Sequence, residues 1–187
     1  MSRNRRLDKL IVIDLEATCD DPKPQWQGEI IEVGVYLLDL QTLDITDKRG
    51  ILVKPQNTPI TPFCTSLTTL TPELVEQEGM SLFQAMVILD AHYKISQRTW
   101  ASWGDYDRKQ LIKDCNAKRF GFPGEHSTHF NIKQILAVEY GWKAGEGLDR
   151  ALERFKMNLE GTHHRGKDDA YNIARIYAAH LKHVRRT

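Results

Sequence analysis

The residues best suited to chemistry in this sequence are carboxylates. Asp14 and Glu16 stand two positions apart at the end of the apolar run Leu10-Ile11-Val12-Ile13. On a strand, that spacing points both side chains to one face. Two carboxylates brought together at the end of an apolar strand repel each other and lose hydration. A divalent cation relieves both costs, and hard Mg²⁺ or Mn²⁺ suits oxygen ligands. The alternative is a strand-end pair facing water, and D-x-E alone does not decide between them. A second acidic group, Trp103-Gly104-Asp105-Tyr106-Asp107, sits at a strand-to-helix junction, where ligands bind in α/β sheets. A third lies in His163-His164-Arg165-Gly166-Lys167-Asp168-Asp169-Ala170, a glycine-containing loop leading into the last helix. Taken alone, the two histidines fit a solvated loop. No second cysteine or histidine pair has zinc-site spacing, so no zinc is expected.

Helical geometry separates the aspartates. Asp169 shares a face with Ile173 and Ile176, which points it toward the core. Asp168 aligns with Asn172 and Arg175, a polar stripe expected to face solvent. Asp107 shares its face with Leu111 and Cys115, whereas Asp105 fits the N-cap of the same helix.

These groups need elements to hold them. Lys9 to Ile13 reads as a strand buried on both faces. Glu29 to Leu40 and Ile45 to Val53 read as two more, joined closely enough to pair antiparallel. Thr71-Pro72 begins a helix, and a second covers Ser81 to Ile95. Arg98 to Trp103 resumes a strand, and a helix follows over Tyr106 to Arg119. Phe130 to Ile132 gives a fifth strand, and helices are expected near 133–140, 148–158 and 167–182. The order implies an α/β layered domain with a mixed sheet.

The composition agrees. The chain has 187 residues, 41% hydrophobic and 27% charged, a length that folds as a single domain over 1–187. No apolar run approaches the roughly 20 residues of a membrane span, so a cytoplasmic protein is expected. Cys19, Cys64 and Cys115 are odd in number and widely spaced, which argues against a disulfide framework. The formal net charge of +1 names no partner. Basic residues do gather at both ends, Arg3, Arg5, Arg6 and Lys9, then Lys182, Arg185 and Arg186. They would suit a polyanion, or simply solvated termini.

Several segments together resemble the DEDDh class of 3′-to-5′ exonucleases, and within it the histone-mRNA 3′-end exonuclease and KapD-type group. They are Val12 to Cys19, Glu29 to Gly34, Phe63 to Thr68, Gly104 to Asp107, and His164 to Ala174. They occur in the family's order and span residues 9 to 180. The resemblance implies a ribonuclease-H-like fold, a five-stranded mixed sheet flanked by helices. It implies that Asp14, Glu16, Asp107 and Asp169 bind two Mg²⁺ (or Mn²⁺) ions and that His164 is the general base. The helical-face argument selects the same two aspartates independently. The resemblance further places the terminal 3′-hydroxyl at the Ala17 backbone and the terminal base between Phe63 and Tyr106; core packing is the alternative for both rings.

The implied activity is metal-dependent 3′-to-5′ hydrolysis of single-stranded RNA, DNA or both, releasing nucleoside 5′-monophosphates. Histone-type relatives often carry a separate nucleic-acid-binding module, which this length does not accommodate, so stem-loop specificity is not expected. The competing reading is a catalytically silent nucleic-acid- or partner-binding module on the same fold. A small-molecule phosphoesterase is a third, with no feature that singles it out.

Overall fold

The computed structural model describes residues 6–20, 27–143 and 145–186; Arg3 and Arg5 of the basic start lie outside them. A five-stranded sheet runs β3-β2-β1-β4-β5. β1 (Arg6–Ala17), β2 (Ile30–Asp39) and β3 (Ile45–Leu52) form an antiparallel meander. β4 (Arg98–Ser102) and β5 (His129–Asn131) add in parallel beside β1. The sheet is therefore mixed, as the sequence implied.

β1 is central, and its alternation builds two cores. Ile11, Ile13 and Leu15 pack with Leu82, Ala85, Met86 and Leu89 of α3 (Leu82–Ala91) and Leu111 and Cys115 of α4 (Tyr106–Ala117). Leu10 and Val12 pack on the other face, with Ile132 and Leu136 of α5 (Ile132–Tyr140), Leu148 and Leu152 of α6 (Leu148–Arg154), and Ile173 and Ile176 of α7 (Gly166–Val184). The same alternation carries Asp14 and Glu16 onto the α7 side.

A smaller apolar cluster of Ile31, Leu52, Ile60, Cys64, Leu70 and Val75 lies under α1 (Pro62–Thr68) and α2 (Pro72–Glu78). In the sequence α1 shows only as part of the family segment Phe63 to Thr68. Its start repeats the Thr-Pro signal of α2: the Thr61 and Thr71 side chains accept bonds from the amides of Cys64 and Leu74. α3 stops at Ala91, four residues before Ile95. Lys94 takes a left-handed φ of 61° and the Ile95 amide bonds back to Leu89, so the chain turns there. Among the described residues no helix is long and apolar enough to cross a membrane.

Candidate active site

The end of β1 lies where three elements meet. Asp14 pairs with Gly34 and Glu16 with Glu32 across the β1–β2 ladder, and the register slips between Glu16 and Ala17. α7 begins directly above. A Cβ on Gly34 would stand 1.9 Å from the Gly166 carbonyl oxygen, so only glycine lets the helix start so close to the sheet. That approach brings Asp169 to the strand carboxylates. Ligand atoms of Asp14, Glu16 and Asp169 all lie within 4.8 Å of one another.

Asp107 enters from the first turn of α4. It is buried, and its Oδ1 accepts the Leu15 amide at 3.1 Å. With the other three acids it lines a cleft of about 330 Å³ that also includes Tyr106, Lys133, His163 and His164. Lys133 carries no motif in the sequence; it reaches the cleft because α5 starts immediately after the short β5.

Burial raises all four carboxylates, and on the strand pair their neighbours' charges add to it. Burial raises Asp14, and the charges of Asp107, Glu16 and Asp169 raise it further. Glu16 is pushed up to about 8, by burial first and then by Asp169, Glu32 and Asp107. Burial lifts Asp107 to about 6 against the pull of backbone amides, Ser102 and Lys133. Mutually repelling, water-poor oxygens are a donor set suited to hard divalent cations.

Both histidines reach the cleft, in different ways. The His163 Nδ1 lies 3.1 Å from each Asp169 oxygen, whereas His164 donates its backbone amide to Asp169 Oδ2 at 2.9 Å. The two rings stack with centroids 4.0 Å apart. His164 has a left-handed φ of 61°. Burial and the neighbouring His163 lower its pKa, against the pull of Asp169 and Asp149.

Two sequence expectations need correction. Asp168 does not face solvent: it is buried, and its Oδ2 accepts the Thr162 amide at 3.0 Å. The segment before α7 folds back over that stripe, where buried Asn172 exchanges bonds with the Glu160 backbone at 3.1 and 2.9 Å. Asp105 occupies the N-cap position of α4 but makes no side-chain cap bond, because its backbone is already helical (φ −94°, ψ −7°).

Phe63 and Tyr106 are 39% and 56% exposed, which disposes of core packing for both. The Ala17 carbonyl receives the Cys64 thiol at 3.6 Å, tying the end of β1 to α1. The cysteines are all free.

Fold and site together define a ribonuclease-H-like architecture with an acidic cluster at the end of its central strand. The exonuclease (RNase T) family model matches residues 11–177, and the chain belongs to that family. Human 3′-5′ exoribonuclease 1 is 32% identical over 181 residues, covering 90% of this chain and 51% of that protein. Mouse ERI1 exoribonuclease 3 is 29% identical, covering 92% and 53%. The chain thus spans about half the length of these curated relatives. Among solved structures, the nuclease domain of 3′hExo, a DEDDh family member bound to rAMP, superposes with a TM-score of 0.86 at 31% identity, covering 94% of this chain and 92% of that one. A structure of 3′-end recognition of a histone mRNA stem-loop by 3′-exonuclease gives 0.87 at 30% identity, covering 94% and 82%.

Proposed function

We propose that this chain is a metal-dependent 3′-to-5′ exonuclease that shortens single-stranded nucleic acid and releases nucleoside 5′-monophosphates. The observation that carries the reading is the convergence of Asp14, Glu16 and Asp169 within 4.8 Å, beside buried Asp107. In this reading the four acids hold two Mg²⁺ or Mn²⁺ ions. Held by these four acids, divalent ions would supply Lewis acidity to a phosphate and make a water more acidic.

The remaining roles fall to the chain itself. Phe63 and Tyr106 stack the terminal base, a contact worth about 1–3 kcal/mol and tolerant of sequence. The Ala17 backbone receives the terminal 3′-hydroxyl, so a strand without a free end does not seat. His164 accepts the attacking water's proton; its lowered pKa keeps the imidazole neutral, and able to do so, at pH 7. His163 holds Asp169.

RNA is the favoured substrate, because the similar structures are described with rAMP and a histone mRNA stem-loop. Matched 5′-labelled RNA and DNA oligonucleotides, single- and double-stranded, test the reading. A ladder descending from the 3′ end of single strands is expected. Binding without cleavage would favour a silent module.

A further inference from the structure

Glu32 is fully buried at 0% exposure, and the proposed reaction does not use it. Its charge burdens the site, since it adds to the repulsion on both Asp14 and Glu16. A buried ion pair is often replaceable by apolar side chains without loss of stability, so stability alone is a weak account of it. Its bonds supply a better one.

Glu32 Oε2 accepts the Gly166 amide at 2.9 Å and Arg165 Nε at 3.2 Å, and Oε1 faces Arg165 Nη2 at 3.4 Å. The guanidinium thus meets the carboxylate fork to fork. Arg165 also reaches the other way, donating from Nη1 to Thr69 Oγ1 at 3.3 Å. Thr69 is the left-handed C-cap of α1, the helix that presents Phe63.

The other ties of the histidine loop are the Thr162 amide to Asp168, and the His163 ring and His164 amide to Asp169. Both acids belong to α7 itself, so these bonds shape the loop without anchoring it to the sheet. The Glu32–Arg165 pair makes that anchor, and it extends to the element carrying the base platform.

We propose that Glu32 and Arg165 are positioning residues. The pair fixes the His163–His164 loop to β2 and, through Thr69, to α1, so that the stacked terminal base and the proton acceptor stay in one register. This inference rests on the exonuclease reading. It goes further in assigning work to two residues that touch neither metal nor substrate.

The test compares Arg165→Lys with the double variant Glu32→Met/Arg165→Met. Lysine keeps the charge but loses the fork and the reach to Thr69. The double variant removes both charges together, leaving no unpaired buried ion. Both are expected to stay folded, with kcat on a 5′-labelled oligonucleotide reduced roughly tenfold or more, the scale of a displaced catalytic group, and KM changing less. Recovery of kcat in the double variant, or wild-type kcat in Arg165→Lys, would overturn the positioning role.

A readout independent of turnover separates this from failure of the exonuclease reading. Ring-proton NMR signals of His163 and His164 should be dispersed in the wild type and collapse toward random-coil positions in both variants. If the wild type cleaves nothing, the exonuclease reading fails, and these signals still decide the positioning role. Unchanged resonances in both variants overturn it.

Discussion

At the residue scale, the site sets protons against charges. Glu16 titrates near 8 because burial and three acidic neighbours disfavour its anion. Asp107→Asn removes one of those neighbours. It should abolish cleavage and weaken Mn²⁺ binding while melting temperature holds or rises. Asp105→Ala should leave melting and most activity intact, because its side chain makes no cap bond to lose; a dead, stable Asp105→Ala would exchange the two roles. Single-turnover kinetics beside calorimetry reads both. His164→Ala should lower turnover by roughly 10²-fold or more, as expected for a general base. His163→Ala should do much less, and a reversed ranking would transfer the role to the ring that touches Asp169. His164 must be neutral to accept a proton, and its pKa is lowered by burial and His163. Activity at saturating metal should therefore hold down to the ordinary histidine value of about 6.5, with its acid limb centred below it. An acid limb centred above that value would contradict the assignment.

At the element scale, β1 and α7 are held together by what is missing as much as by what is present. Gly34→Ala would set a methyl 1.9 Å from the Gly166 carbonyl, so α7 must lift from the sheet. A cost of about 1–3 kcal/mol is expected from such overpacking, with loss of cleavage because Asp169 moves too; chemical denaturation with a parallel assay measures both. The clustered acids also link stability to pH. Asp14, Glu16, Asp107 and Asp169 all have raised folded-state values, so each favours the folded state below its unfolded pKa near 4. That contribution is lost as pH rises through the folded values, about 6 for Asp107 and about 8 for Glu16. Metal-free protein should accordingly melt lower at pH 8 than at pH 5, and Mn²⁺ should reverse the loss. A melting temperature that rises over that interval without metal would show that the acids do not share one field. Glu29 runs the other way. Burial opposes its ionisation, but Lys118 and the amides of residues 56–58 outweigh it and hold it near 2, so that support is present above its ordinary pKa and lost in acid.

At the scale of the whole molecule, the legible parts were those with a period or a cap. Alternation along β1 placed Asp14 and Glu16 on one face, and the +4 and +7 neighbours of Asp169 turned it inward, as found. The Asp168 stripe failed because a helical wheel does not show which loop covers a face; residues 158–162 close over Asn172. The nearness of Gly34 to Gly166 and the Glu32–Arg165 pair join residues more than 130 positions apart, and no local pattern encodes them. In the proposed reaction the Ala17 backbone, at the end of β1, takes the strand's terminal 3′-hydroxyl. A 3′-phosphate should therefore block digestion, and a circular strand should survive. The measurement that tests the central claim most directly is product analysis of one 5′-labelled single-stranded RNA, digested with Mn²⁺ by wild type and by Asp14→Asn, and with EDTA by wild type. A 3′-shortened ladder with nucleoside 5′-monophosphates from wild type with metal, and intact RNA in the other two reactions, is the expected result. Equal cleavage in EDTA or by Asp14→Asn would contradict it.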